Sequence, residues 1–296
     1  MIKIQNIRKI IESAILTGYV KNTDRPTNIF LIADAESGKS ELLEMFKKYP
    51  NIIYTNDLSF KPFVDEVLPE VEKGEKSHLI IPDFINVLGH RKSVDALIPC
   101  LNSYLAEGVD DLKYYGTIKH FNRPIIGGIL SGITKHIFNK QIITWRNNGF
   151  LSRVIPVTFQ YSNTTEQQIH RSIISGEYYE PVNVIKNMDG IKLKSFIVEI
   201  PEEIGNRISL VVNQLTNRNK YYSMTSKIEN GAYKKYKLEL SKYGFRTHKQ
   251  MRSFIQGVCL CNNKNLNPRK KYIVSEKDFE DFLDLTKFMN FDFEEI

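Results

Sequence analysis

Eight consecutive residues, Ala33-Asp34-Ala35-Glu36-Ser37-Gly38-Lys39-Ser40, have the types and spacing needed to hold a phosphorylated ligand. They stand between an apolar, β-prone run over Asn28–Ala33 and a helical pattern that begins near Lys39. A strand, a tight loop and a Gly-Lys-Ser helix opening form the context in which a glycine-containing loop cradles phosphates. Backbone N–H groups across Ala35, Glu36, Ser37, Gly38, Lys39, Ser40 and Glu41 would face the phosphate oxygens, helped by the positive end of the helix dipole. Lys39 would reach the β- and γ-phosphates of ATP, and the Ser40 hydroxyl would ligate Mg²⁺. Ala33 replaces the first glycine of the full pattern. Alanine can end a strand there if its φ is negative.

A phosphate loop that also binds Mg²⁺ needs an acidic partner at the end of another strand. His78-Leu79-Ile80-Ile81-Pro82-Asp83 supplies one, an apolar strand that delivers Asp83 at its carboxyl end. Asp83 is therefore the second expected metal-shell residue beside Ser40. The next position, where a water-activating glutamate often stands, holds Phe84. Hydrolysis is then slow, or a carboxylate elsewhere does this work.

These side chains need a sheet to position them. Strand candidates are Asn28–Ala33, Ile52–Tyr54, Leu79–Ile81, Ile125–Leu130 and Val154–Phe159, separated by helical patterns such as Val94, Leu97, Ile98, Leu101 and Leu105. Alternation of this kind predicts an α/β fold, a parallel sheet covered on both faces. Pro156 cannot donate a ladder hydrogen bond, so its strand belongs at a sheet edge. After Tyr161 the pattern turns mostly helical, with stripes at Met251, Phe254, Ile255, Val258 and Cys259 and at Phe279, Phe282 and Leu283. Ser275 with Asp278 reads as a capping box at the start of the last helix. Asp189-Gly190 between two β-prone runs suggests a hairpin near residues 181–200. Two units follow, a nucleotide-binding α/β domain over 1–161 and a smaller helical domain over 162–296.

Composition narrows the classes. With 296 residues, 42% hydrophobic and 25% charged, the chain can bury a core and is not a disordered tail. No apolar run reaches a membrane span, residues 1–20 lack a signal-peptide pattern, and three cysteines cannot build a disulfide framework. The expectation is a cytoplasmic protein with no membrane partner. The net charge of +7 is concentrated in residues 201–250, where ten basic residues face four acidic ones. Such a surplus could follow a phosphate backbone or simply be a solvated surface. Six histidines are scattered without metal-ligand spacing.

With the loop and Asp83 placed, the chain resembles the AAA+ ATPases over roughly residues 20–292, in particular the minichromosome-maintenance-like and phage helicase group. Gly128-Ile129-Leu130-Ser131-Gly132-Ile133-Thr134 lies where that family carries its sensor-1 polar group, which implies Thr134 first and Ser131 second. Gly149-Phe150-Leu151-Ser152-Arg153-Val154 is similar to its leucine-serine-arginine signature, which implies Arg153 as an arginine finger reaching a neighbouring subunit's γ-phosphate. Gly244-Phe245-Arg246-Thr247-His248 resembles a lid-helix start, implying Arg246 as a phosphate contact within its own subunit, with Arg252 as the alternative. Val274-Ser275-Glu276-Lys277-Asp278 resembles the start of the last lid helix. Asp111–His120 lies where the helicase-like clade inserts a hairpin into the ring pore, so Lys113, Tyr114, Lys119 and His120 would offer cations and aromatic faces to nucleic acid.

The resemblance implies a three-layer α/β/α sheet domain followed by a helical lid, ATP and Mg²⁺ at subunit interfaces, and a homo-oligomeric, hexamer-like ring. It also implies a helicase-like enzyme that moves along or remodels DNA in replication of a phage or mobile element. A nucleotide-switched assembly protein with little turnover is the main rival, favoured by Phe84. A protein remodeller and a small-molecule enzyme follow.

Overall fold

The computed structural model describes residues 4–114, 117–161, 163–175, 186–217, 220–229, 232–241 and 245–291. Its strands are β1 (Ile29–Ala33), β2 (Ile52–Tyr54), β3 (His78–Ile81), β4 (Val109–Tyr114), β5 (Thr117–Ile125), β6 (Gly128–Thr134), β7 (Ile155–Thr158), β8 (Ile197–Glu199), β9 (Lys220–Glu229), β10 (Ala232–Ser241) and β11 (Lys271–Ile273). The helices are α1 (Ile4–Leu16), α2 (Lys39–Glu44), α3 (Phe60–Pro62), α4 (Leu68–Glu72), α5 (Phe84–Gly89), α6 (Arg91–Asn102), α7 (Lys135–Asn147), α8 (Asn163–Ser175), α9 (Glu202–Asn217), α10 (Phe245–Asn262) and α11 (Glu276–Thr286). π-Helical turns join α3 to α4 (Phe63–Val67) and extend α6 (Ser103–Glu107).

Five strands form one parallel sheet in the order β2-β3-β6-β1-β7. Every residue of β1 is buried, which explains why this strand reads as an unbroken apolar run rather than an alternation. Both faces are covered. Phe30 of β1 meets Phe84, Trp145 and Phe150 with ring centroids 5.0–5.9 Å apart, so α5 and α7 pack on its side. On the other face, Gly132 pairs with Leu31 and lies against the Lys39 side chain at the start of α2. The chain leaves β1 toward β2, then returns strand by strand and passes from β6 over β1 to β7. The switch point falls between β1 and β6, where open α/β sheets place ligands at the carboxyl ends of their strands.

The fourth parallel strand is Gly128–Thr134 rather than Ile125–Leu130, because Ile125 ends β5 of a separate hairpin. Two glycines make the change of sheet possible. A Cβ on Gly127 would lie 1.9 Å from the Tyr104 hydroxyl, and one on Gly128 would lie 2.3 Å from the His78 ring. Pro156 does sit on an edge strand, bonded within the sheet only to β1. The far side of β7 is covered by the chain after α11, where Thr158 and Asn290 N–H groups bond to the Phe288 and Pro156 carbonyls.

The helical segment shares its core with the sheet. α1 packs along α10, and one hydrophobic cluster runs from Ile7 and Ile11 through β1 to Phe254 and Phe282. The change at residue 161 is thus a change of secondary structure without a break in the core. α11 begins with the expected capping box: Ser275 accepts from the Asp278 N–H, and Asp278 accepts from the Ser275 N–H. The expected hairpin near 181–200 is replaced, in its described part, by a different pairing. β8 pairs in parallel with β11, some seventy residues later, while residues 181–185 lie outside the described ones.

Candidate functional site

The loop leaves β1 at Ala33, which does not have positive φ, and enters α2 at Lys39. Alanine is therefore tolerated at the first position, as required. Glu36 (φ 60°) and Gly38 (φ 71°) take left-handed backbone, the alternation that turns successive N–H groups into one concavity. A buried ammonium closes the loop: Lys39 Nζ donates to the carbonyls of Ala33 (3.2 Å) and Asp34 (2.5 Å) and to Ser37 Oγ (2.9 Å). Burial pushes this ammonium below the ordinary lysine value, and the carboxylates of Asp83, Asp34 and Glu41 pull it back up. Ala35, Ser40 and Glu41 are exposed at the mouth.

Three adjacent strands bring the predicted partners to this end of the sheet. Asp83 follows β3 as the N-cap of α5 and accepts from the Ile85 N–H at 3.1 Å, which leaves its other oxygen for a ligand. Thr134 ends β6 directly beside Ala33, and its side chain makes no capping bond to α7. Ser131 is fully buried and donates to the Ile81 carbonyl at 2.5 Å, so it ties β6 to β3 and faces no ligand. Phe84 is fully buried in the aromatic cluster around Phe30. Its position is filled by a core requirement. A Cβ on Gly132 would lie 2.5 Å from the Pro82 carbonyl and 3.3 Å from Lys39 Cβ, so only glycine lets β6, the Asp83 turn and Lys39 converge. The residues present fit a Mg²⁺-bound nucleoside triphosphate: a buried cation beneath a concave loop, with a hydroxyl and a carboxylate at its rim.

The two predicted arginines lie together at the opposite edge. Arg153 precedes β7, whose first residue pairs with Ile29, so it stands at the amino end of β1, about 13 Å along the strand from the phosphate loop. Its carbonyl accepts from Asn28 Nδ2 at 2.8 Å. Its guanidinium bonds to the carbonyls of Asn102 (2.9 Å) and Gly149 (2.7 Å) and to both oxygens of Glu107 (3.0 and 3.1 Å). Arg246, at the start of α10, donates to the same Glu107 at 2.5 Å. The expectation that Arg246 contacts phosphate in its own subunit is therefore not met by this arrangement. Arg252 is exposed further along α10, beside Gly205 of α9. Burial lowers Arg153 below the ordinary guanidinium value. Burial also pushes Glu107 up, but hydrogen bonds from Arg153 and Arg246 outweigh it and hold the carboxyl below its usual range.

The segment Asp111–His120 lies on an antiparallel hairpin, β4–β5, with Lys113 opposite Ile118 and Leu112 opposite Lys119. Lys113 is exposed. Lys119 is engaged by the Val64 carbonyl at 2.7 Å and Asp65 at 3.5 Å, and His120 by Asp111 at 2.7 Å. Tyr114 opposes Thr117 by backbone register, and its side chain lies outside the described part. A second, longer hairpin, β9–β10, carries five of the ten basic residues of 201–250: Lys220, Lys227, Lys234, Lys235 and Lys237. Asn230-Gly231 between two β-prone runs was a signal for it.

Three residues emerge only from the structure. Tyr161 brings its hydroxyl within 3.6 Å of where a Gly38 Cβ would stand, on the rim of the phosphate loop. Glu107 collects both arginines. Arg25 lies close enough to feel Glu107, Arg246 and Arg153 electrostatically. No family model matches the chain, and no curated protein matches it. No described helix is long and apolar enough to cross a membrane.

Proposed function

We propose that this chain is an AAA+-type ATPase that binds ATP·Mg²⁺ at its phosphate loop and assembles head to tail with further copies of itself. The observation that carries the reading is the convergence of Lys39, Asp83 and Thr134 at the carboxyl ends of β1, β3 and β6, at the switch point of a parallel sheet. Lys39 and the loop N–H groups would hold the β- and γ-phosphates, and Ser40 and Asp83 would hold the metal. Bound Mg²⁺ would neutralise phosphate charge and orient the triphosphate. Thr134 would orient a polar group at the γ-phosphate end.

Charge supports the assembly reading. The loop edge exposes Asp34, Glu36 and Glu41, whereas the opposite edge gathers Arg25, Arg153, Arg246 and Lys249 against Asp24 and Glu107. Edges of opposite sign on one molecule favour a heterologous contact, which closes into a ring when the rotation allows. Phe245, 90% exposed beside Arg246, gives that face an aromatic anchor. Arg153 and Arg246 would then act together on the neighbour's nucleotide, where planar cations stabilise charge on the transferring phosphoryl group.

For the substrate we propose DNA, contacted by hairpin β4–β5 through Lys113 and by the basic 201–250 segment. A nucleotide-switched assembly protein is the second reading, favoured by the buried Phe84 beside Asp83. Steady-state ATP hydrolysis, measured with and without single- and double-stranded DNA, separates the two. DNA-stimulated turnover that vanishes in Lys39→Ala is the expected result. Tight, Lys39-dependent ATP binding with negligible turnover would make the assembly switch the better account.

A further inference from the structure

Glu107 has a position that the proposed activity does not use. It ends the π-helical turn after α6, and with only Gly108 between them Val109 opens the β4–β5 hairpin. Its carboxylate is bonded by both oxygens to Arg153 and by one to Arg246. The joint that follows is tight. Gly108 has φ 99°, its N–H donates to the Ser103 carbonyl at 2.7 Å, and a Cβ there would lie 2.7 Å from Pro124 Cβ on β5. Val109 then pairs with Ile125 at the root of the hairpin. A pull on Glu107 is thus passed within two residues to the first rung of the hairpin.

The electrostatic balance shows why this contact can be exchanged. Arg153 and Arg246 share one carboxylate that is half exposed, with Arg25 and Asp24 near enough to interact electrostatically, while the Arg153 side chain is only 11% exposed. Arg153 also bonds to the Asn102 and Gly149 carbonyls, but Glu107 supplies the negative charge bonded to both arginines, and a phosphate bearing several negative charges binds such groups at least as well, in the same bidentate geometry. A triphosphate brought up by a second copy would compete with Glu107 for both arginines.

We propose that Glu107 is a positioning residue that acts as a latch. In the free subunit it holds Arg153 and Arg246 and fixes the root of the β4–β5 hairpin. When a neighbouring copy presents its nucleotide, the arginines pass to the phosphates, Glu107 is released, and the hairpin root is freed. The inference rests on the head-to-tail reading and adds its coupling element: the nucleotide at one interface is felt at the hairpin through one carboxylate. The coupling is reciprocal, so weakening the latch must strengthen nucleotide-dependent assembly.

Sedimentation of the full chain with Mg·ATP tests this, together with amide hydrogen exchange across residues 107–112. Glu107→Gln keeps the shape and removes the charge. It is expected to lower the protein concentration at which Mg·ATP drives association by about tenfold, within the usual range of coupling between sites. It is also expected to raise exchange at the hairpin root without nucleotide, to the level that wild type reaches only with Mg·ATP. Glu107→Asp, which keeps the charge, should return both readouts toward wild type. ATP binding at the distant Lys39 loop should be unchanged in both variants, which also reports that they are folded. If Arg153→Ala abolishes nucleotide-driven association while Glu107→Gln behaves as wild type, the latch is wrong and the interface stands. If wild type does not associate with Mg·ATP, or Arg153→Ala associates normally, the head-to-tail reading is wrong and the latch goes with it.

Discussion

The two edges of the parallel sheet differ in chemistry and in completeness. At the carboxyl edge, a buried lysine is drawn into its own loop and ringed by acidic residues. At the amino edge, arginines outnumber the carboxylate that holds them. Hydrolysis of a triphosphate needs both kinds of group around the same phosphate: a cradle with metal-holding acids, and extra cations for the charge that develops. A single copy cannot bring them together, because the rigid strand β1 lies between. The separation is what the proposed shared site would require, and under that proposal Glu107 would occupy the arginines until a neighbour arrives.

Substitutions at each edge should therefore fail differently, and the largest effect belongs to the arginine. Arg153→Ala is expected to reduce turnover by about a thousandfold while leaving ATP affinity near wild type, the signature of a group acting on a neighbour's phosphate. A matching loss of ATP affinity in the isolated subunit would move Arg153 into the cradle and break the contrast between edges. At the carboxyl edge, Gly132→Ala should damage binding first. The added methyl meets the Pro82 carbonyl and Lys39, at a cost of about 1–3 kcal/mol, and nucleotide titration should show weaker affinity, with self-association near wild type once Mg·ATP is saturating.

A stability effect, spread over several pH units, belongs to the amino edge, where His78 is fully buried at the start of β3 and burial lowers its pKa to about 3. The folded state keeps this ring neutral, while the unfolded chain protonates it near the ordinary value of 6.5. Its contribution to stability is full above about pH 6.5 and is lost as the pH falls toward 3, with a slope of up to about 1.4 kcal/mol per pH unit. Chemical denaturation between pH 7 and 4 should show that slope reduced in His78→Gln. An unchanged slope would assign acid sensitivity to other groups.

The strand, loop and helix around Lys39, the edge position of Pro156 and the capping box at Ser275 were legible in the sequence, because each is a local pattern, whereas the hairpin over 111–120 was expected only from the family resemblance. What was not legible is what lies across the fold. Lys119 looked like a free cation, but its partners Val64 and Asp65 are more than fifty residues away. Arg153 and Arg246 were assigned to two phosphate contacts, yet they share Glu107, a residue without a motif. The spacing of Ile7, Ile10, Ile11, Ala14 and Ile15 marks a helix with a buried face, but only the fold identifies α10 as its partner. The strand beside Asp189-Gly190 was expected to close a local hairpin, and tertiary pairing with β11 prevailed.

The central claim, that a working site takes its loop from one copy and its arginine from the next, is tested most directly by subunit mixing. Lys39→Ala and Arg153→Ala proteins should each be nearly inactive alone. Mixed in equal amounts, they should recover a substantial part of the wild-type ATPase rate, because the intact loop of the Arg153→Ala protein and the intact arginine of the Lys39→Ala protein meet at one complete interface. A mixture as inactive as its components, in particles that sedimentation shows to contain both, would contradict the shared site.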